Sequence, residues 1–337
     1  MKEGNEPAER KVQLTGGSTY TVSLPKEWAG KQDIEPGCHV NLYSQGDQLV
    51  MTRSKRSPED RQHVTTIDAT DRDPAALSLA VASAYVAGCD EIHVENVDGH
   101  EQRRAVTRAI RGFVGLEVMT EDERSLVART MLDVDDLSPE QTLAQLERTT
   151  LEMHEYAVDA VVEADGEAGD QLARQDDDVD RLFALVSRGF QQSLVDPAVT
   201  MGGGHLTPFE YYMAARQLER VADHAEKIGG VAGRLDGEPP EDLAADIAAF
   251  GSEARDIVRR SLAGLLSDSD GDQSELGAVI ADSETLLADL SALDETLYER
   301  RLDDGYLLGL VVDSIVRTAQ YGVNIAEAGL QARHRHG

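Results

Sequence analysis

Three carboxylates, Glu219, Asp223 and Glu226, follow one another at steps of four and three residues. On an α-helix that spacing lines them along one face. Like charges so placed repel by roughly 0.2–0.5 kcal/mol per pair, so the line is tolerated only where something offsets it. A hard cation held through oxygen would do so, and so would concentrated salt. Asp176 and Asp180 form another pair at a four-residue step. Oxygen-only ligation suits magnesium, manganese, calcium or iron better than zinc. Acids occupy 63 of 337 positions, so such pairs also arise by chance, and a salt-solvated acidic face is the competing reading.

These side chains need helices to hold them. Thr207, Pro208 and Glu210 place a hydroxyl at the N-cap, proline at the first helical position and a carboxylate three residues on, a capping box that opens a helix reaching Arg234. Leu218, Val221, Ala222, Ala225 and Ile228 form its apolar stripe, and the acids lie on a different face. Asp176 and Asp180 sit at the edge of the stripe of Leu172, Val179, Phe183, Val186 and Phe190, so both can face a packed helix carrying Glu219 and Asp223. His224 points to another side and reads as a solvated or capping residue.

From Ser138 onward the pattern is helical: to about Ala164, then Gly169–Leu194, Thr207–Arg234, Glu241–Leu266, Glu275 to about Leu293, and Gly305–Ala332. His334 and His336 read as a disordered tail. Sliding the third of these helices onto the sixth by 97 positions pairs Leu218 with Ile315, Ala222 with Ala319 and Ile228 with Ile325. The stripe survives but the acids do not, because Glu219 meets Val316 and Asp223 meets Gln320.

The string Leu218-Glu219-Arg220-Val221-Ala222-Asp223-His224-Ala225 resembles the signature helix of PhoU-type phosphate-uptake regulators, and Asp176–Leu182 is similar to that family's other signature helix. The resemblance implies two three-helix bundles, whose paired acidic motifs bind clusters of metal ions. It makes Asp176, Asp180, Glu219 and Asp223 the candidate ligands of a divalent or trivalent metal ion. The second half departs from the motif, so one such site is expected.

The 63 acids against 32 bases give a net charge of −31, yet 41% of residues are hydrophobic, as in a folded protein with an acidic surface. Only six bases are lysine, a balance similar to that of halophilic, haloarchaeal proteins. The first residues are charged rather than signal-like, and the most apolar run, Ala75–Cys89, is too short to span a bilayer. Two distant cysteines, Cys38 and Cys89, suit a reducing cytoplasm. The expected location is cytoplasmic, without membrane insertion.

Residues 1–57 break the acidic pattern, with eight Lys/Arg against seven Asp/Glu. Strands around Val12–Leu14 and Tyr20–Leu24 flank Gly16-Gly17, a short helix follows Pro25, and Val40–Leu42 and Leu49–Met51 make a second hairpin across Gln45–Asp47. So few apolar residues can hardly form a core alone, so a second copy or a neighbouring domain is needed, and dimerisation would supply it. Gly17–Trp28 resembles the AbrB/SpoVT swapped-hairpin family, whose domains interleave two chains and bind DNA. The resemblance and the local charge together make Arg10, Lys11, Lys26 and Arg53 candidate phosphate contacts. A hairpin module that only dimerises is the alternative.

Lys55–Pro58 reads as a linker. Beyond it, strand (His63–Asp68), helix (Pro74–Ala87), strand (Glu91–Glu95), helix (Glu101–Phe113) and two strands (Leu116–Thr120, Ser125–Leu132) predict a βαβαββ layer whose first two strands are parallel. Gly99-His100 reads as a plain turn.

The expected fold is therefore multidomain: a β-rich swapped-hairpin domain (1–57), a small α/β middle domain (58–135) and two all-α three-helix bundles (136–236 and 237–337). No nucleophile–base arrangement, P-loop or Cys-x-x-Cys is present, and the protein is read as a non-enzyme. The function expected is that of a dimeric, DNA-binding regulator of phosphate uptake. A signalling adaptor that docks on a phosphate ABC transporter or a sensor kinase is the alternative. No set of convergent Arg or Lys marks a phosphate pocket in the sequence.

Overall fold

The computed structural model describes residues 8–45, 48–53, 63–132, 138–196, 206–267 and 272–336. The chain divides into two compact units, 1–62 and 63–337. The linker at Lys55–Pro58, the turn residues Gly46 and Asp47, and the glycines Gly202–Gly204 and Gly271 lie outside the described residues.

In the first unit, β1 (Gln13–Thr15) pairs antiparallel with β2 (Thr19–Thr21), α1 (Lys26–Lys31) follows, and β3 (Val40–Gln45) pairs antiparallel with β4 (Gln48–Arg53). Gly16 and Gly17 take φ values of +64° and +79°, the region open to glycine that the first turn needs. No described residue of this unit is buried. Tyr20 is 77% exposed, Leu49 64% and Leu14 60%, so each hairpin leaves its apolar side chains uncovered.

The second unit begins with the expected layer: β5 (Val64–Asp68), α2 (Pro74–Val86), β6 (Glu91–Glu95), α3 (Gly99–Arg111), β7 (Leu116–Glu121) and β8 (Ser125–Thr130). The strands are ordered β5-β6-β8-β7, with β5 and β6 parallel and the others antiparallel. Asp73 caps α2 by accepting from the Ala76 amide at 2.7 Å. Leu77, Val81 and Tyr85 from α2 and Val106 and Ile110 from α3 pack over Ile92, Val94, Leu126 and Ala128.

The rest is helical: α4 (Pro139–Val162), α5 (Ala168–Val195), α6 (Pro208–Ala232), α7 (Glu241–Leu266), α8 (Asp272–Arg300) and α9 (Gly305–His336). Helices α4–α6 pack together, as do α7–α9, and the two sets meet through α4 against α7 and α6 against α9. Gly229 permits the close approach of α5 and α6, because a Cβ there would overlap Leu172. Polar ties stitch the seam between the bundles. Arg255 lies 3.3 Å from His154 Nδ1, Asn324 donates to Gln217 at 3.0 Å, and His224 Nε2 lies 3.3 Å from the Tyr321 hydroxyl. Full burial, with Arg255 and His224 adding to it, pushes His154 down to about 3 and keeps it neutral.

Several helix ends differ from expectation, and α3 starts at Gly99, so Gly99 and His100 form its first turn and not the plain turn expected. Helix α8 runs on to Arg300, because Leu297 is buried beyond Leu293. Helix α9 reaches His336, so His334 and His336 belong to the helix and not to the disordered tail expected. Arg333 donates to the Gly264 carbonyl at 2.9 Å, and Arg335 pairs with the buried Glu210. No helix among the described residues is long and apolar enough to cross a membrane.

Candidate functional site

Helices α5 and α6 bring the four predicted acids into one electrostatic neighbourhood. The capping-box arm is in place at the start of α6, where the Thr207 amide donates to Glu210 at 2.7 Å. From there Leu218, Val221, Ala222, Ala225 and Ile228 are fully buried, which fixes the rotation of α6 and leaves Glu219 half-buried and Asp223 and Glu226 exposed. On α5, Leu172 and Val179 are buried and set Asp176 half-buried, with Asp180 nearer solvent.

The electrostatics show how closely these groups compete. Burial, then the charges of Asp180, Glu226, Asp223 and Glu219, push Asp176 up to about 7. Burial and Asp223 push Glu219 up to about 7, although Arg216 and Arg220 act the other way. Asp180 is raised by burial first and by Asp223 next. Arg216 donates to Glu219 Oε1 at 2.9 Å while its guanidinium lies over the Phe183 ring. The other Glu219 oxygen, Oε2, and Asp176 Oδ1 are buried without a hydrogen-bond partner.

Two buried acceptors without donors, in an all-oxygen set with several negative charges, fit a hard cation in chemistry. Among the described residues no group of three or more His, Cys, Asp or Glu side chains is already arranged to hold a metal ion. Binding would therefore draw the carboxylates of α5 and α6 together. His224 takes no part, but it is not the solvated or capping residue expected. It is buried at the α6–α9 seam, facing Tyr321, and burial lowers it to about 4.

The four predicted DNA contacts lie in the first unit, all exposed. Arg10 and Lys11 precede β1, Lys26 opens α1 and Arg53 ends β4. Arg10 donates to the neighbouring Glu9 carbonyl at 2.8 Å, and Arg53 lies 3.7 Å from Asp33.

Comparison with known proteins adds to this geometry. Residues 143–232 match the PhoU domain, a stretch that begins in α4 and ends on the last residue of α6. The acid-bearing bundle is thus a PhoU domain. Residues 13–60 match the family described as antidote-toxin recognition MazE, bacterial antitoxin, so the front of the chain is a MazE/AbrB-like domain. Among solved structures, PhoU from Pseudomonas aeruginosa is 17% identical with a TM-score of 0.47, the match covering 58% of this chain and 96% of that one. No curated protein matches.

Proposed function

We propose that the protein is a cytoplasmic, homodimeric regulator of phosphate uptake and homeostasis. Its front end binds DNA, and its first helical bundle senses state through a metal ion held by Asp176, Asp180, Glu219 and Asp223. The observation that carries this reading is the coincidence of the PhoU domain match with the two helices whose acids are strained against one another. The exposed hairpins support the dimer: Leu14, Tyr20 and Leu49 are uncovered within their own unit, and a second copy of that unit would take them out of water. Arg10, Lys11, Lys26 and Arg53 would then contribute from both protomers to one phosphate-binding surface.

The adaptor reading is kept alive by one contact. Arg53 already has Asp33 beside it, as a residue without a DNA role would. In that case the front end only dimerises, and the helical surface docks on a phosphate transporter or a sensor kinase.

The test is binding of the full-length protein to promoter DNA of phosphate-transport genes over a range of salt, with Lys11→Glu plus Lys26→Glu as the control. Saturable binding that weakens with salt and in the control is expected. An intact dimer that binds no DNA at any salt would select the adaptor, and a protein that sediments as a monomer would remove the dimer from both readings.

A further inference from the structure

A second candidate site lies where α3 passes α5. Arg104, Arg108 and Arg111 recur at steps of four and three residues, so they share one line along α3. With Arg103 and Arg181 they line a cleft of about 760 Å³, together with Thr107, Gly112 and Phe113. Sequence spacing hid it, because Arg181 comes from a helix in another part of the chain. Five arginines converge here in a protein whose net charge is −31.

The arginines are not equally free. Arg103 is committed to the β7–β8 turn, where it pairs with Glu121 at 2.6 Å and donates to the Asp122 and Glu123 carbonyls at 3.0 and 2.5 Å. Arg181 lies 3.4 Å from Asp178. Arg104, Arg108 and Arg111 are exposed and make no ion pair with any described residue. Asp177 and Asp180 also line the cleft, yet neither is paired with an α3 arginine. Neutralising α5 is therefore not what occupies this line of guanidinium groups.

We infer that the cleft binds a small anion built of linked phosphates. Guanidinium groups match phosphate oxygens two at a time, which makes arginine the side chain suited to such a ligand. The line from Arg104 to Arg111 spans seven helical steps, about 10 Å of helix, longer than one phosphate group can bridge. The cleft volume suits a small molecule. A long nucleic acid would have to run out over the acidic surface of this unit and is disfavoured there. A nucleoside polyphosphate and an inorganic polyphosphate share the chemistry recognised.

The experiment titrates full-length protein with sodium tripolyphosphate, ATP and orthophosphate, without added metal, at low and at molar salt. The variant is Arg104→Gln/Arg108→Gln/Arg111→Gln, and the remote control is Arg317→Gln, at an exposed position on α9 outside the cleft lining. These positions are exposed, so native melting of the variant is expected and is checked first. Saturable binding of tripolyphosphate, weakened at least about tenfold in the triple variant and unchanged in the control, is the expected result. Equal affinity for ATP would assign recognition to the phosphate chain, and tighter ATP binding would assign the site to a nucleotide. No binding, orthophosphate binding as tightly as tripolyphosphate, an unchanged triple variant of native stability, or an equal loss in the control would each overturn the inference. So would displacement of tripolyphosphate by duplex DNA at these same arginines.

Discussion

The two helical bundles share a packing pattern and differ in what they place along its edge. Leu218 and Ile315, Ala222 and Ala319, and Ile228 and Ile325 all stand 97 positions apart and all are completely buried. One step outside this stripe, α6 carries Glu219 and Asp223, whereas α9 carries Val316 and Gln320. In the first bundle the result is a set of carboxylates held partly protonated near neutrality. In the second, Val316 and Gln320 line a groove with Leu290, Leu297 and Val312 from α8 and α9. Burial of the stripe builds the bundle either way, so packing does not require the acids. Raised carboxylates oppose folding at neutral pH, and a chain that keeps them in only one of two like places uses them for something other than stability.

The first bundle also carries the α/β layer, and the largest effect is expected where they join. Arg188 of α5 is 2% exposed; it donates to the Tyr85 and Cys89 carbonyls at 2.9 and 2.7 Å and to Asp90 at 2.9 Å. Arg188→Ala strands these acceptors and should cost about 3–5 kcal/mol, read as a fall in the thermal midpoint. Arg260 in the second bundle makes two ion pairs at 2.7 Å, with Glu275 and Asp282, but is partly solvated. Arg260→Ala should cost no more than about 1 kcal/mol. Equal losses would mean that the seam with the layer is no more demanding than a surface network.

A pH series sharpens the electrostatic half of the contrast. Asp176 and Glu219 have their native affinity for protons raised from 3.8 and 4.5 to about 7, so the folded chain holds protons that the unfolded chain has released. Their stabilising share is complete below pH 4 and is lost as the pH rises to about 7. Asp176→Asn with Glu219→Gln removes this loss. With a chelator present, the double variant should be the more stable protein above pH 7, its advantage fading toward pH 4. Added cation should narrow the gap by stabilising only the wild type. Parallel stability curves would show that the carboxylates are not strained.

How much of this was legible follows the range of the interactions involved. The α6 helix, its cap, its stripe and its line of acids are written within one stretch, and periodicity shows them directly. The βαβαββ order and the glycine turn of β1–β2 are equally local. Long-range packing hid the rest. His224 looks solvated from α6 alone, and only the return of α9, with Tyr321, covers it. The last turns of α9 look like a tail until Arg335 meets Glu210, 125 residues away. The α3 arginines look like an ordinary charged face until α5 closes one side of their cleft. The first unit is the reverse case: its hairpins are readable locally, yet none of its described residues is buried.

An effect no larger than that of losing the Arg260 ion pairs is expected from copying the acids into the other bundle. Val316→Glu with Gln320→Asp restores the α6 pattern on α9 at two half-buried positions. The new pair would meet Asp294 and Asp313, which line the same groove, and mutual repulsion should lower stability by about 1 kcal/mol near pH 7. No second equivalent of cation should bind, because α8 has no counterpart to the Asp176 and Asp180 pair. Metal content after dialysis, measured beside that of the wild type, checks this. A doubled metal content would show that the new pair with Asp294 and Asp313 suffices, and that a pair of acids like Asp176 and Asp180 on the neighbouring helix is not required. Unchanged content with the expected destabilisation would mean that both helices are needed and that the site depends on how α5 is held against α6.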